Sequence, residues 1–366
     1  MRYSSFSRGA LILALVLAPA WGLCFWLAYL VTHFSSVAQG SFSNFYTYRT
    51  DAMNAFTHGW AAYYGSGDLN INPPLQGLIL FPFLPFPYPL AFLFWTLLLL
   101  ACMFLTWRLL AARRLWLLPV LLLLFPVLDA LRLGQVVILV VAIVTLAWWL
   151  SEHGHGFSAG TILALATLKP QLILLLPPVL LLTHHRREFL GFVAGSTAIG
   201  LLSFALVGTK GIAAMLANQQ DTLSNPAQFH IDNSMVLRLW WPGTPGLLLV
   251  IAVLILTLGL AWRHRASPPS AIYAIGILGS LLVAPYFHVQ DLVLWIPAAL
   301  LMQRSVGLPR PVAVLGLIFA SLPIFGAPLV TLLALLFFFR PVLLHPEATN
   351  NPIRPTPSLV GVQQPI

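Results

Sequence analysis

The chain has 366 residues, of which 59% are hydrophobic and only 7% charged, with a mean hydropathy of +0.90. An average soluble domain carries about 25% charged residues, so this balance excludes a soluble enzyme and points to one helical bundle in a bilayer. A formal charge of +9 would suggest a nucleic-acid partner in a soluble protein; in a membrane protein it has first to be divided between the two faces, and no nucleic acid is expected.

In chain order, Arg2 and Arg8 precede an apolar run over 9–31. At about 23 residues it is longer than a signal-peptide core, which predicts a retained first helix. Further runs recur at 88–107, 115–129, 134–150, 157–168, 171–183, 188–207, 245–262, 270–286, 289–302, 311–322 and 325–339. Together they predict an all-α integral membrane protein, a polytopic bundle of about twelve transmembrane helices over residues 1–343. Pro119, Pro126, Pro177, Pro178, Pro297 and Pro323 are expected to kink or interrupt these helices. Residues 73–87, PPLQGLILFPFLPFP, are apolar but too rich in proline for a span and read as a re-entrant or interfacial segment. Cys24 and Cys102 lie inside apolar runs, so neither a disulfide framework nor a cysteine metal site is implied. The tail 344–366 reads as a disordered cytoplasmic end.

Charge orients this bundle. With the N-terminus inside, thirteen of the eighteen Lys and Arg fall on the cytoplasmic side, including Arg113–Arg114, Arg186–Arg187 and Arg263–Arg265. The three Glu also fall inside and all six Asp outside, as the positive-inside rule requires. Two long loops then share the outer face, 32–87 and 208–244, and chemistry is expected there. Active-site residues would be extracytoplasmic, with both termini in the cytoplasm and the protein multi-pass in the plasma membrane.

The first outer loop contains a polar island, SFSNFYTYRTDAMNAFTHGWAAYYGSGDLNINPPL over 41–75, with Arg49, Asp51, His58 and Asp68. Three other outer turns carry polar groups at span ends: Asp129, Arg132 and Gln135; Lys169, Pro170 and Gln171; His288, Gln290 and Asp291. Such groups are costly facing lipid and usually face the bundle interior or a wet cavity. Converging, they would offer a base (Asp51), cations (Lys169, Arg132, Arg49) and neutral donors, which suits an anionic phosphate leaving group and a hydroxyl nucleophile. Arg49, His58, Gln135, Lys169, Gln171, His288 and Asp291 are the substrate-binding candidates.

Each residue also has a plainer role. Any of them caps a helix or snorkels to the headgroups in about half of such settings. Asp129 and Arg132 are three apart and able to pair with each other. His153 and His155 lie on the inner side without partners for a metal, and His184 and His185 beside Arg186 and Arg187 read as headgroup contacts. Tyr46, Tyr48, Tyr63 and Tyr64 are able to stack on a sugar, though most Tyr and Trp belong to the interfacial belt. Asp68, in the turn-like GSGDLN, is the second choice of base.

The order of an early Asp in the first outer loop, Asn72-Pro73-Pro74-Leu75 before LFPFLPFP, LGQVVILVVAIVTLAWW, AGTILALATLKPQLILLLP and PYFHVQDLVLWIPAAL resembles glycosyltransferase family 87. Those are polytopic GT-C enzymes that include polyprenol-phosphate-mannose-dependent α-mannosyltransferases of actinobacteria. The resemblance covers most of 40–300. It implies a GT-C-like fold, a polyprenyl-phosphate-sugar donor, a glycolipid or glycan acceptor and an extracytoplasmic site among membrane lipids. It carries the family's catalytic Asp onto Asp51, its Gly-Gln turn onto Gly134 and Gln135, its Lys-Pro onto Lys169 and Pro170, and its late carboxylate onto Asp291. Asn72 stands where members often have Tyr, and Gln290 where they have a Tyr before the late Asp.

The expected reaction is direct displacement at the anomeric carbon with inversion: Asp51 takes the acceptor proton and a cation such as Lys169 meets the departing phosphate. No cofactor and no metal are expected. The alternatives are a ligase or polymerase acting on lipid-linked oligosaccharide, and a transporter or flippase, which should instead place polar groups at mid-membrane in two paired halves.

Overall fold

The computed structural model describes residues 43–64, 72–111, 114–224, 244–285, 288–307 and 326–339. The expected first span 9–31, Asp68, the run 311–322 and the tail 344–366 lie outside the described residues, as does 225–243 of the second outer loop. Among the described residues all regular structure is helical.

The polar island is a helix, α1 (Asn44–His58), where the sequence suggests a loop. No Gly or Pro interrupts it, and Phe45, Tyr48, Ala52 and Ala55 recur at helical spacing to form its buried face together with Asp51. Gly59, at φ 85°, ends it ahead of a 3₁₀ segment, Trp60–Tyr64. Pro73 and Pro74 then start α2 (Pro74–Leu80), since a proline at the first helical turn has no hydrogen bond to lose. With the 3₁₀ turn Phe81–Phe83, this apolar helix is far too short to cross a hydrocarbon core of about 30 Å.

The chain continues through α3 (Tyr88–Ala111), α4 (Leu117–Leu122), α5 (Phe125–Leu133), α6 (Val137–Glu152), α7 (Gly156–Ala164), α8 (Leu176–Leu182), α9 (Arg186–Ser224), α10 (Thr244–Arg263), α11 (Pro269–Val283), α12 (Trp295–Ser305) and α13 (Gly326–Leu336). Of these, α3, α9 and α10 are long and apolar enough to cross a membrane, and a fourth crossing follows if the pair α5–α6, bent by 118°, is one broken span. Among the described residues, several of the runs that the sequence delimits are short, interrupted helices. Proline supplies the reason at several breaks, because it removes a backbone donor and pushes the residue before it out of the helical region. In α9 the break is at Gly208, φ 64° and ψ −172°, and the helix runs on to Ser224 inside the expected second outer loop.

Two contacts show how the bundle closes. Every residue of α11 from Ser270 to Val283 is buried, so this helix forms the centre. Helices α7 and α9 meet through glycines: a Cβ on Gly160 would run into the Glu188 carbonyl, and one on Gly191 into the Phe157 carbonyl. Gly191 and Gly195 are four apart on α9, the small-residue spacing by which helices in lipid approach closely where no hydrophobic force draws them together. At the start of α9, Glu188 accepts a hydrogen bond from Ser151 Oγ at 2.6 Å and pairs with His185 Nδ1 at 2.6 Å, so His185 is held by the protein and is not a headgroup contact.

Two outcomes follow for purified protein in detergent. Gly191→Ala should cost about 1–3 kcal/mol through overpacking, whereas Gly200→Ala, with open space around it, should be neutral or gain up to about 1 kcal/mol in helix propensity; thermal midpoints decide. The second concerns His185. Burial opposes its charging, but the Glu188 hydrogen bond and charge, with the Ser267 carbonyl, outweigh burial and raise its pKa. The stability this pair contributes is fully present below the ordinary histidine value of about 6.5 and is lost as pH rises through the higher folded value. The midpoint should fall as pH rises from the ordinary histidine value through the higher folded one, and His185→Gln should flatten that fall.

Candidate active site

Lys169 stands between two 3₁₀ segments, Leu165–Leu168 and Pro170–Ile173, at φ −135° and ψ 77°. Pro170 forces this break, and the extended residue before it turns its side chain out of the helical register. Lys169 Nζ donates to Asp291 Oδ1 at 2.7 Å, with the two side chains 6% and 0% exposed. Asp291 lies in a further 3₁₀ segment, Val289–Leu294, and its Oδ2 accepts from the His288 backbone N–H at 3.0 Å. Both carboxylate oxygens are thus occupied. Gln171 is buried beside Lys169, with neither end of its amide hydrogen-bonded. Leaving a buried polar group unmatched costs about 1–3 kcal/mol.

The second part of the site is the turn between α5 and α6. Gly134 caps α5 at φ 65° and ψ 37°, and a Cβ there would lie 2.7 Å from Phe45 Cβ and 3.1 Å from Phe92 Cε2. Glycine alone meets both demands, the left-handed backbone and the lack of room. Trp95 Nε1 donates to the Gly134 carbonyl at 2.9 Å and Ser43 Oγ to the Leu133 carbonyl at 3.3 Å. Gln135, also buried, accepts from Tyr48 Oη at 3.0 Å.

Tyr48 places the third part, because Asp51 is three residues further on the same face of α1 and 1% exposed. Tyr64 packs nearby: burial first, and the Asp51 charge second, hold its phenol well above the ordinary tyrosine range. Tyr64 Oη donates to the Asn72 carbonyl at 3.0 Å and Tyr63 Oη to the Pro73 carbonyl at 3.4 Å, which ties the Trp60–Tyr64 segment to the start of α2.

The expected residues thus sort into groups. Lys169 and Asp291 meet directly; α5 and α6 pack on Val289–Leu294, α6 packs on Leu165–Leu168, and Gln135 bonds to Tyr48 of α1, the helix that carries Asp51. Arg49 has a different job, since its guanidinium donates to the Leu84 and Phe86 carbonyls at 3.2 and 2.9 Å and clamps that turn to α1. Arg132 pairs with Asp129 at 2.7 Å. His58 is exposed on the last turn of α1, its Nδ1 2.7 Å from Thr57 Oγ1, and is not brought to the buried groups. His288 is partly buried and lends its backbone to Asp291. Sequence reasoning passed over Gln76, whose one signal was to be the sole polar side chain in PPLQGLILF.

Residues 70–285, more than half of the chain, match the family model of glycosyltransferase family 87. The chain belongs to glycosyltransferase family 87. No curated protein and no solved structure matches it. As a family 87 member it is a membrane glycosyltransferase, with a sugar donor and an acceptor. The matched range takes in Gln76, Gln135, Lys169 and Gln171, while Asp51 and Asp291 lie on either side of it.

A buried ion pair is costly to break on one side, by about 3–5 kcal/mol, because the charge left behind is neither solvated nor paired. Lys169→Met and Asp291→Leu should each destabilise the protein to that extent, and the double variant should recover most of the loss. Chemical denaturation of the three variants in detergent checks it; additive losses would mean that the two charges do not depend on each other.

Proposed function

We propose that this family 87 enzyme is of the GT-C class and transfers a hexose, with mannose as the first choice, from a polyprenyl-phosphate donor to a hydroxyl of a glycolipid or glycan acceptor on the extracytoplasmic face of the plasma membrane. What supports this reading is that two groups of opposite character are both buried, the Asp51 carboxylate on the helix that Tyr48 ties to the Gly134–Gln135 turn and the Lys169 ammonium at the break before Pro170. A lipid phosphate has to leave and a hydroxyl has to lose its proton, and these two groups match the two needs.

In the proposed step the acceptor oxygen attacks the anomeric carbon while its proton passes to the Asp51 carboxylate. The new C–O bond forms as the bond from the anomeric carbon to the phosphate oxygen breaks, and polyprenyl phosphate departs with the bonding electron pair. One displacement inverts the anomeric centre, and no enzyme nucleophile is needed. General-base assistance is worth about 10²–10⁴-fold. The ammonium of Lys169 has three N–H donors and Asp291 takes one, which leaves donors for the phosphate. Stabilising the charge that develops there, in a site closed to water, lowers the barrier more than the proton transfer does. Asp291 holds the ammonium in position through the 2.7 Å contact. Gln171 and Gln135 supply neutral hydrogen bonds, and His288 completes the phosphate end. Arg49 acts by holding the 84–86 turn in place.

Membranes carrying the wild type should transfer label from radiolabelled polyprenyl-phosphate-mannose, and Asp51→Asn at equal expression should lose at least about a hundredfold. Equal transfer by the two would make Asp51 a structural residue and move the base elsewhere.

A further inference from the structure

Gln76 is the most unusual buried group outside the residues already assigned a role. It sits on α2 at 1% exposure, and neither Oε1 nor Nε2 has a hydrogen-bond partner. A carboxamide brings one acceptor oxygen and two N–H donors, and buried groups of this kind are satisfied in nearly all native structures. A glutamine kept for packing would bond its amide to a backbone group or give way to leucine. Here, among the described residues, the amide has no hydrogen-bond partner.

Its surroundings say what would satisfy it. Helix α2 packs on α1, whose buried face carries Asp51. The next residue, Gly77, has no room for a side chain because a Cβ would lie 2.7 Å from Tyr63 Cε2 and 3.3 Å from Trp60 Cζ3. Trp60 stacks on Phe81 with ring centroids 5.2 Å apart and an interplanar angle of 22°. An unmatched amide on a helix packed against the one that carries Asp51 has the chemistry that recognises a sugar: two neighbouring hydroxyls meet it, one donating to Oε1 and the other accepting from Nε2.

We propose that Gln76 is a sugar-binding residue whose carboxamide takes a vicinal hydroxyl pair of a hexose at the Asp51 end of the site. This rests on the reading of that end as the place of sugar transfer. The hydroxyls belong either to the donor hexose or to the sugar of the acceptor, and kinetics separates the two.

The test compares wild type, Gln76→Leu and Asp51→Asn, with radiolabelled polyprenyl-phosphate-mannose and native membranes as the source of acceptor. Thermal midpoints of the purified proteins in detergent are measured alongside. Gln76→Leu should keep or raise the midpoint, because it removes an unmatched amide and retains the volume, while kcat/KM falls about tenfold to a hundredfold. A rise in the donor KM assigns the hydroxyls to the donor hexose; an unchanged donor KM with a loss corrected by added acceptor assigns them to the acceptor sugar. If the leucine variant does not fold, Gln76→Met, unbranched and of the same reach, carries the comparison. Midpoint and transfer falling together in both variants would make the amide structural, and a stable variant with undiminished transfer would overturn the proposal. Loss in Asp51→Asn with full activity in Gln76→Leu sinks this inference alone; the converse sinks the base assignment and leaves the sugar contact standing.

Discussion

At Gly134 the backbone turns left-handed, and the helices on either side diverge by 118°. Only a residue without a Cβ fits, because Phe45, Phe92 and Trp95 close on that spot. The tight turn exposes carbonyls that a helix would have satisfied, and side chains from distant segments come to meet them: Trp95 from α3 and Ser43 from the start of α1. Gln135 follows at once and takes the Tyr48 hydroxyl. One left-handed glycine in the backbone thereby brings α1, α3, α5 and α6 together.

On the far side of that turn, the cost of burying charge governs the arrangement. Desolvating an ammonium and a carboxylate each costs several kcal/mol, and attraction offsets this only with good geometry and further hydrogen bonds. Asp291 meets both conditions through Lys169 at 2.7 Å and the His288 N–H at 3.0 Å. The helix break at Pro170 makes the pair possible, since an unbroken helix would hold Lys169 in the regular pattern of side chains. Gln171 and Gln76 show the opposite condition: their amides are buried and unmatched.

The rest of the bundle obeys a different rule. Apolar burial cannot drive helices together in a medium as apolar as they are, so close contact through glycine has to serve. That explains why Gly160, Gly191 and Gly195 sit where α7 and α9 cross, and why the buried helix α11 meets its neighbours at Gly276 and Gly279. Packing of this kind fixes distances tightly.

Composition was enough to specify a helical membrane protein, because hydrocarbon admits few other solutions for the backbone, and the order of short motifs was enough to point to the family. The gap between the apolar runs 157–168 and 171–183 likewise put Lys169 at a break, and the spacing of Asp129 and Arg132 forecast their pairing. Three things were not legible in the string. The polar island looked like a loop because its charges hide the apolar stripe of Phe45, Tyr48, Ala52 and Ala55, which has meaning only once something packs against it. Arg49 and His58 stood in the string as candidate substrate contacts, and only the fold shows that Arg49 reaches the 84–86 carbonyls and that His58 is exposed at the end of α1. Gln76 looked like an incidental polar residue, and its unmatched amide is a property of its neighbours. A sequence carries the local rules of backbone and polarity, whereas the partner of each polar atom is chosen among residues scores of positions away, and that choice exists only when the chain is folded.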